Sequence, residues 1–338
     1  MGRSSRRRKD SDIKGLLLVD KPAGMTSHDV VGVVRRLAKT RRVGHTGTLD
    51  PDATGLLPLT LGACTKLANF LILDQKVYRF RLELGSQTST DDASGEVLHT
   101  GDASHVTHEM LDAALDAYRG DILQRPPRFS AIRVDGKRAH ELARAGVDFE
   151  LDARPVHVAR LDLLSFESPY AELEMLCSSG TYVRGVVRDV GADLGCYAHT
   201  TSIRRLQVGP FTIEDAVSLD TLRERVEAGE GEFPHDVLLS PAQMVASLPA
   251  VTLDEEMIAK LMMGQRVQGR LLSRAPVELD GQEDGEEKEI IASLLDAHGE
   301  LLAVGQIIQR ELASDEAKQG KDQLVEVAPK KVIIPVTT

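Results

Sequence analysis

The segment that most constrains this chain spans residues 41–58 and reads RRVGHTGTLDPDATGLLP. Gly44 and Gly47 can adopt positive φ or let the backbone approach a ligand closely, because glycine has no Cβ. Pro51 restricts the residue before it, Asp50, to extended geometry. The composition therefore predicts a shaped loop that presents Asp50 ahead of a buried strand, LLPLTL. From the residues alone, a plain Asp-Pro turn in which Asp50 caps its own backbone is an open alternative.

A second acid, Asp52, lies two residues after Asp50. A regular strand would place the two carboxylates on one face, whereas a turn at Pro51 would separate them. Both geometries are open, and we favour the turn. The distinction bears on function, because a hydrolase with an aspartate nucleophile normally uses a second acid or base to activate water. Asp52 is the only acid nearby in the sequence for that role.

Apolar patterns place two further polar side chains in defined elements. Residues 77–85 alternate, which predicts a strand whose core-facing row begins with Tyr78. A tyrosine in such a row is usually a core residue with a satisfied hydroxyl. Residues 182–194 have helical spacing, with Arg184 in the first turn. The helix dipole disfavours a cation there, so a carboxylate partner would explain this arginine.

The loop and other segments of the chain resemble the TruB family of bacterial tRNA pseudouridine synthases. These segments are KPAGMTS (21–27), QRPPRFSAIRVDGKRAHELARAG (124–146) and SSGTYVRGVVRDVGADLGCYAH (178–199). Their order and spacing also resemble the family, from about residue 15 to about residue 211. The resemblance implies an α/β (α+β) pseudouridine synthase fold. Its sheet would be mixed and largely antiparallel, with an insertion that clamps an RNA hairpin.

The resemblance implies that Asp50 is the catalytic residue. A free aspartate is ionised at neutral pH, but burial would favour its neutral form unless a cation opposes this. Arg184 is our candidate for that cation, since a guanidinium is always charged and can hold a carboxylate through two hydrogen bonds. Whether Asp50 attacks C1′ of the ribose or takes a proton from C2′ is open.

The resemblance also implies the substrate-binding residues. Tyr78 would stack on the target base after this base has left its stack in the RNA, and Tyr78 could also transfer the proton at C5. His45 would lie where the flipped or neighbouring bases pass, although from the residues alone it is a loop histidine bonded to the backbone. Tyr182 and Ile203 would line the pocket.

The implied reaction determines which partners are expected. The T-loop uridine (uridine-55) of tRNA would be flipped out, its N1–C1′ bond broken, and its C5 joined to C1′. Nothing enters or leaves, so neither a cofactor nor a metal ion is expected. The expected partner is the T-arm hairpin of tRNA, with no guide RNA and no membrane.

Composition divides the chain into unequal parts. Residues 1–14 are polar and basic, and a disordered tail is predicted there. Residues 15–248 are predicted to form the catalytic domain. Residues 249–338 are predicted to form a small PUA-like β domain, with strands near 266–272, 289–295, 300–308 and 324–334 and an acidic loop at 279–288.

Charge is distributed unevenly along the chain. The formal net charge of −11 is the sum of a net charge of +2 over residues 1–210 and a net charge of −13 over residues 211–338. Basic residues cluster at 35–42 and again at 125–144. Because attraction to phosphates is local, these clusters are candidate RNA contacts in spite of the acidic total.

The location expected for this chain is the cytoplasm, and the expected state is a monomer. The chain's three cysteines have no paired spacing, and no apolar run approaches the length that spans a bilayer. A non-catalytic tRNA-binding or tRNA-folding protein is the alternative function. Such a protein would keep the basic surfaces and the PUA-like domain but could lose Asp50, and the retention of Asp50 together with Tyr78 and Arg184 counts against this as the sole role. A guide-dependent synthase of the dyskerin type would share the core but would need partner proteins.

Overall fold

The computed structural model describes residues 11–72, 75–272, 290–308 and 324–333. The strands in these ranges are β1 (Gly15–Lys21), β2 (Val43–His45), β3 (Thr54–Leu61), β4 (Lys76–Leu84), β5 (Ser86–Thr88), β6 (Val97–Thr100), β7 (Gly120–Gln124), β8 (Arg133–Val134), β9 (Lys137–Arg138), β10 (Arg154–Glu167), β11 (Tyr170–Cys177), β12 (Ala198–Val208), β13 (Phe211–Thr212), β14 (Val217–Ser218), β15 (Leu238–Leu239), β16 (Ala250–Thr252), β17 (Val267–Leu271), β18 (Ile290–Leu295), β19 (Leu301–Ile308) and β20 (Leu324–Val332).

The α-helices are α1 (Ser27–Leu37), α2 (Ala68–Ile72), α3 (His108–Leu115), α4 (Ala139–Arg144), α5 (Val183–Asp193), α6 (Leu219–Ala228), α7 (Pro241–Met244) and α8 (Glu255–Met262). Short 3₁₀ helices cover Gly62–Leu67, Asp116–Tyr118, Ile213–Asp215 and His235–Val237. Within the described ranges, no helix is both long and apolar enough to cross a lipid bilayer.

One large sheet carries most of the chain, in the order β14-β1-β3-β12-β4-β11-β10-β7. The pairs β1–β14 and β3–β12 are parallel. The other neighbours along this order are antiparallel. This confirms the predicted mixed, largely antiparallel sheet, and the parallel β3–β12 pair brings residues about 150 positions apart side by side.

The sheet is buried on both faces at β1. Leu17 and Val19 belong to the core formed with α1, α3, α5 and α6. Leu16 and Leu18 belong to a second core. Because consecutive strand residues point to opposite faces, a strand with cover on both sides needs the continuous apolar run found here.

A closed barrel in the order β16-β17-β20-β19-β18 follows the sheet, as expected for a small PUA-like β domain. Its Leu301, Val304 and Ile333 pack into the second core with sheet residues, so the barrel covers that face. Strand β16 and helix α8 were not predicted. The three residues of β16 are too few to carry a usable pattern. The acidic loop predicted at 279–288 lies outside the described residues.

The end of the predicted N-terminal tail is tied to the catalytic part. The Ser11 backbone N–H donates to the Lys39 carbonyl (3.3 Å), and its hydroxyl donates to the Ala38 carbonyl (2.7 Å). Ile13 is buried in the main core. The disordered tail predicted for residues 1–14 therefore does not extend over residues 11–14, because Ile13 finds an apolar partner surface. Residues 1–10 lie outside the described residues.

Gly55 on β3 occupies a position that excludes any side chain. Its φ is +101°, and a Cβ there would lie 2.3 Å from the Arg205 carbonyl oxygen across the parallel pair. Gly44, by contrast, has no positive φ, and a Cβ there would lie 3.4 Å from Thr60 Oγ1. Of these two glycines, Gly55, which follows the loop, is therefore the one whose backbone conformation requires glycine.

We predict that Gly55→Ala lowers the free energy of unfolding by about 2 kcal/mol or more, from backbone strain and the clash together. The matched control Gly44→Ala should change it by less than about 1 kcal/mol. Urea unfolding of the two variants measures both. An equal decrease in the free energy of unfolding for the two variants would contradict the conclusion that position 55 requires glycine.

Candidate active site

Asp50 lies in a tight turn between β2 and β3. The Ala53 backbone N–H donates to the Asp50 carbonyl (3.2 Å), which closes the turn around Pro51. Asp52 is exposed, while Asp50 is half-buried. The predicted turn that separates the two acids is confirmed, and Asp50 does not cap its own backbone through its side chain in the described contacts. Asp52 is thus not placed as the second acid that a hydrolase would use with Asp50.

Lys21, at the end of β1, stabilises this turn through its side chain. Its side chain is fully buried, and Nζ donates to the carbonyls of Pro22 (2.9 Å), Met25 (2.6 Å) and Pro51 (2.9 Å). Burial lowers the pKa of Lys21 to about 8, against the attraction of Asp52 and Asp50. A cation is tolerated there because backbone carbonyls satisfy its donors.

A serine fixes the residue before Asp50. Ser27 Oγ accepts from the Leu49 backbone N–H (2.9 Å) and donates to the Leu49 carbonyl (3.1 Å). Ser27 starts α1, whose N-cap Thr26 forms a reciprocal capping box with Asp29. The helix start and the turn are therefore held as one unit.

Arg184 is the cation beside Asp50. Its Nη2 lies 3.0 Å from Asp50 Oδ2, and its side chain is only 4% exposed, against 41% for Asp50. Nη1 also donates to the Thr90 carbonyl (2.7 Å) and Nη2 to the Phe129 carbonyl (2.9 Å). The predicted ion pair is present, but the expected two-bond contact is wrong. Backbone carbonyls occupy the donors that a second carboxylate bond would need.

A second acid completes this cluster. Asp92 Oδ2 lies 3.6 Å from Arg184 Nη1. Burial raises the pKa of Asp50 above its usual value, and Asp92 raises it further, whereas Arg184 and Lys21 lower it. The carboxylate therefore depends on its cations to stay ionised.

Tyr78 lies on β4 directly opposite Arg205 of β12. Tyr78 is 9% exposed and belongs to the main core, as its place in the alternating row predicted. Burial raises the pKa of its hydroxyl, and the Arg205 guanidinium beside it opposes the rise. Arg205 was missed from sequence, because nothing in the pair Arg204–Arg205 signals which arginine is buried.

Tyr182 is the N-cap residue of α5 and precedes Arg184. Gln124 holds it in place: Oε1 accepts from the Tyr182 backbone N–H (2.8 Å), and Nε2 donates to the Tyr182 carbonyl (2.9 Å). Burial raises the pKa of the Tyr182 hydroxyl, which also lies within reach of the charges of Arg184 and Asp50. Gln124 was not predicted, because this contact joins β7 to α5 across 58 positions.

His45 and Ile203 lie on strands β2 and β12. His45 ends β2, and its ring meets that of His28 edge-on, with centroids 5.4 Å apart. Its Nδ1 is buried and, among the described residues, has no hydrogen-bond partner. Ile203 is half-buried on β12 opposite Phe80, on the same face as Tyr78. Their roles stay predictions.

The described part of the chain holds no group of three or more histidine, cysteine, aspartate or glutamate side chains placed to bind a metal ion. Its cysteines, Cys64, Cys177 and Cys196, are buried and free. The site combines a carboxylate on a turn held by hydrogen bonds, cations beside it, the buried Tyr78 and the half-buried Tyr182.

Comparison with known proteins gives consistent matches. The model of the TruB family pseudouridylate synthase N-terminal domain matches residues 35–183, and that of the tRNA pseudouridylate synthase B C-terminal domain matches residues 184–245. A protein of Cereibacter sphaeroides named tRNA pseudouridine synthase B is 46% identical over 265 residues, covering 78% of this chain and 86% of that protein. A protein of the same name from Pasteurella multocida is 40% identical over 276 residues, covering 82% and 88%.

Solved structures share the fold. A chain in the structure of an H/ACA RNP bound to a substrate RNA containing 2′-deoxyuridine has a TM-score of 0.69 at 21% identity, covering 96% of this chain and 86% of that one. A chain in a Cbf5-Nop10-Gar1 complex has a TM-score of 0.70 at 24% identity, covering 95% and 85%. At this level of identity the likeness concerns the fold.

The contacts of Asp50 predict how its pKa responds to mutation. Arg184→Gln removes the attraction that lowers the pKa of Asp50, so that pKa should rise further. The glutamine amide can still donate to one of the backbone carbonyls. The control Arg188→Gln lies one turn later on α5, beside Asp91 and Asp189, and should leave Asp50 unchanged. Carboxyl NMR with ¹³C-labelled aspartate measures both, and no change with Arg184→Gln would contradict the pairing.

Proposed function

Because this chain belongs to the TruB family of pseudouridylate synthases, we propose that it converts the T-loop uridine (uridine-55) of tRNA to pseudouridine. The chain is an isomerase that acts on uridine in tRNA. We propose which uridine of tRNA reacts and which residues of this chain act on it. The observation that supports it most is the ion pair of Asp50 with Arg184 on a turn braced by Lys21.

The reaction needs a positioned carboxylate at the sugar. The N1–C1′ bond breaks, the uracil turns, and its C5 bonds to C1′. The C5 proton then leaves, and N1 takes up a proton. Asp50 is the group that acts on the sugar, either as a nucleophile at C1′ or as a base at C2′. It can do so only when ionised, which is the state that Arg184 favours.

The target base must leave its stack to reach Asp50. In our proposal Tyr78 stacks on the flipped base, and Tyr182 and Ile203 line the pocket around it. His45 contacts the RNA where the base leaves. Recognition of this kind relies on stacking and pocket shape, as is common for single-stranded RNA.

Basic surfaces next to the site would hold the phosphates. The insertion between β7 and β10 begins at the segment whose Phe129 carbonyl binds Arg184. It carries exposed basic side chains, namely Arg125, Arg128, Arg133, Lys137, Arg138 and Arg144. The cluster at residues 35–42 leads directly into β2 and the Asp50 turn. Within it Arg35 donates to the Val43 carbonyl and Lys39 to the Gly231 carbonyl, so part of it supports the fold.

The proposal includes a stand-alone mode of action. The chain would bind the T-arm hairpin of tRNA as a monomer in the cytoplasm and select its uridine without a guide RNA. The relatives that support this are named for tRNA. The alternative of a non-catalytic tRNA-binding protein has no need for the braced carboxylate.

We predict that the purified protein forms pseudouridine at one position of an isolated T-arm hairpin. Mapping of pseudouridine by reverse transcription after carbodiimide treatment provides the measurement, with a hairpin of scrambled loop sequence as control. Reaction only when a separate guide RNA is added would contradict the stand-alone mode.

We predict that Asp50→Asn abolishes the chemical step, slowing single turnover by at least about 10²-fold, because the substitution removes the charge at constant size. RNA affinity at equal salt should persist, since phosphate contacts elsewhere dominate binding. The matched control Asp52→Asn, on the exposed side of the same turn, should react at close to the normal rate. Near-normal turnover by Asp50→Asn would exclude Asp50 as the catalytic residue.

A further inference from the structure

The insertion between β7 and β10 begins with an entry segment, residues 125–129, whose sequence is RPPRF. None of these residues belongs to a helix or strand. Pro126 and Pro127 are buried, and neither has a backbone N–H to donate. Two successive prolines exclude the entry segment from regular strand pairing. Its position therefore depends on donors that reach its carbonyl groups from other elements.

Two arginines of helix α5 supply these donors. Arg184 Nη2 donates to the Phe129 carbonyl (2.9 Å), at the end of the entry segment. Arg188 Nη2 donates to the Arg125 carbonyl (2.8 Å), at its start. Residues four positions apart in a helix lie on the same face, one turn from each other. The entry segment is therefore attached to one face of α5 at both of its ends.

Arg188 also binds the loop that follows β5. Its Nη1 lies 3.3 Å from Asp91 Oδ2, and its Nε donates to Asp189 Oδ1 (2.7 Å). Asp91 is 6% exposed, and its φ of +59° is uncommon for a residue other than glycine. Thr200 holds this conformation, since its backbone N–H (3.1 Å) and its hydroxyl (2.9 Å) both donate to the Asp91 carbonyl. Arg188 thus joins the entry segment to a carboxylate whose own position is fixed.

The two arginines differ in the carboxylates that they contact. Arg184 contacts Asp50, which is the proposed catalytic residue. The ion pairs of Arg188 among the described residues are with Asp91 and Asp189. Removing the Arg188 guanidinium would leave Asp91 as a buried carboxylate without its cation, and would free the start of the entry segment. The contacts of Arg188 therefore hold the insertion without involving Asp50.

The entry segment leads into a basic hairpin formed by β8 and β9, residues 133–138. The base of this hairpin is closed by the His140 backbone N–H, which donates to the Ser130 carbonyl (3.1 Å). The hairpin carries three exposed basic side chains that take part in none of the ion pairs of the described residues, namely Arg133, Lys137 and Arg138. Because Ser130 directly follows the entry segment, the position of that segment determines where these charges lie.

We propose that Arg188 is a positioning residue for RNA binding, which holds the entry segment on α5 so that the basic hairpin meets the RNA phosphates. The proposal rests on the proposed function and deepens it, since that function assigns phosphate contacts to this insertion. An insertion that is already held in place loses less conformational freedom when RNA binds, so affinity is higher. Arg184 then serves the chemical step, and Arg188, one turn later, serves RNA affinity.

The test measures affinity and rate on the same T-arm hairpin RNA with the full chain. Fluorescence anisotropy gives the Kd, and single turnover over a range of protein concentrations gives the rate at saturation. The variants are Arg188→Gln, Arg188→Lys and a triple variant that neutralises the basic hairpin, Arg133→Gln/Lys137→Gln/Arg138→Gln. Arg188→Gln is also combined with the triple variant and, as a matched control, with Arg36→Gln on the exposed face of α1.

We expect Arg188→Gln to raise the Kd by about fivefold or more, with a smaller decrease in the rate at saturation. Arg188→Lys should lie between this variant and the wild type, because an ammonium can face Asp91 but lacks the fork that also reaches the Arg125 carbonyl. The triple variant should raise the Kd and reduce its dependence on salt.

The combined variants separate the proposed role from a general loss of stability. On the Arg188→Gln background, the triple variant should raise the Kd by a much smaller factor than it does in the wild type, because the hairpin is no longer held in place. Arg36→Gln should change the Kd by the same factor on both backgrounds, since α1 is independent of the insertion.

Several outcomes would overturn the proposal. A triple variant that binds as tightly as the wild type would show that the basic hairpin does not hold RNA. Full additivity of Arg188→Gln with the triple variant, or an unchanged Kd in Arg188→Gln, would show that Arg188 does not position it. Failure of both Arg188 variants to fold, as judged by circular dichroism, would assign Arg188 to fold stability alone.

The wild-type protein tests the proposed function separately. If it binds the hairpin RNA but forms no pseudouridine, the proposed function is wrong, and the measured Kd values still decide the role of Arg188. If it does not bind the hairpin RNA, both proposals are wrong.

Discussion

The buried guanidinium of Arg184 is the group on which the arrangement of the site depends. It contacts Asp50 at 3.0 Å and donates to the carbonyls of Thr90 and Phe129, so segments far apart in the sequence converge on one cation. A buried guanidinium is tolerated only when its donors are satisfied. Displacing the Asp50 turn would remove the nearer of the two carboxylates of this charge and leave Asp92, at 3.6 Å, as its acidic partner. The position of Asp50 is therefore tied to the stability of the fold.

Two other cations donate hydrogen bonds to backbone carbonyls of this loop and of the strand that follows it. Lys21 binds the Pro51 carbonyl, and Arg205 binds the Gly47 and Leu56 carbonyls. An irregular loop thus gains the rigidity of the sheet without strand pairing of its own, which is what a positioned carboxylate requires. In the proposed reaction the detached uracil carries negative charge. Cations that are already fixed can stabilise such a charge without reorganising.

The features that sequence predicted depend on local patterns or on a long motif. The capped helix α1 and the alternating strand β4 follow from residues that are neighbours in the chain. The contact of Asp50 with Arg184 was expected because a cation in the first turn of α5 needs a carboxylate. The exposed strand β6 carries no apolar alternation, so it gave no signal. Arg205 and its contacts depend on the pairing of β12 with β3 and β4, which no local pattern reveals.

The most direct test of the account is a crystal structure of the Asp50→Asn protein bound to a T-arm hairpin with an unmodified uridine. The account predicts that this uridine is flipped out of its loop, with its base stacked on Tyr78. The substituted side chain should contact C1′ or C2′ of its ribose, and Arg184 should stay in its present place. A uridine still stacked in the RNA, or one whose ribose lies away from position 50 while the hairpin is bound, would contradict the assignment of Asp50 as the group that acts on the sugar.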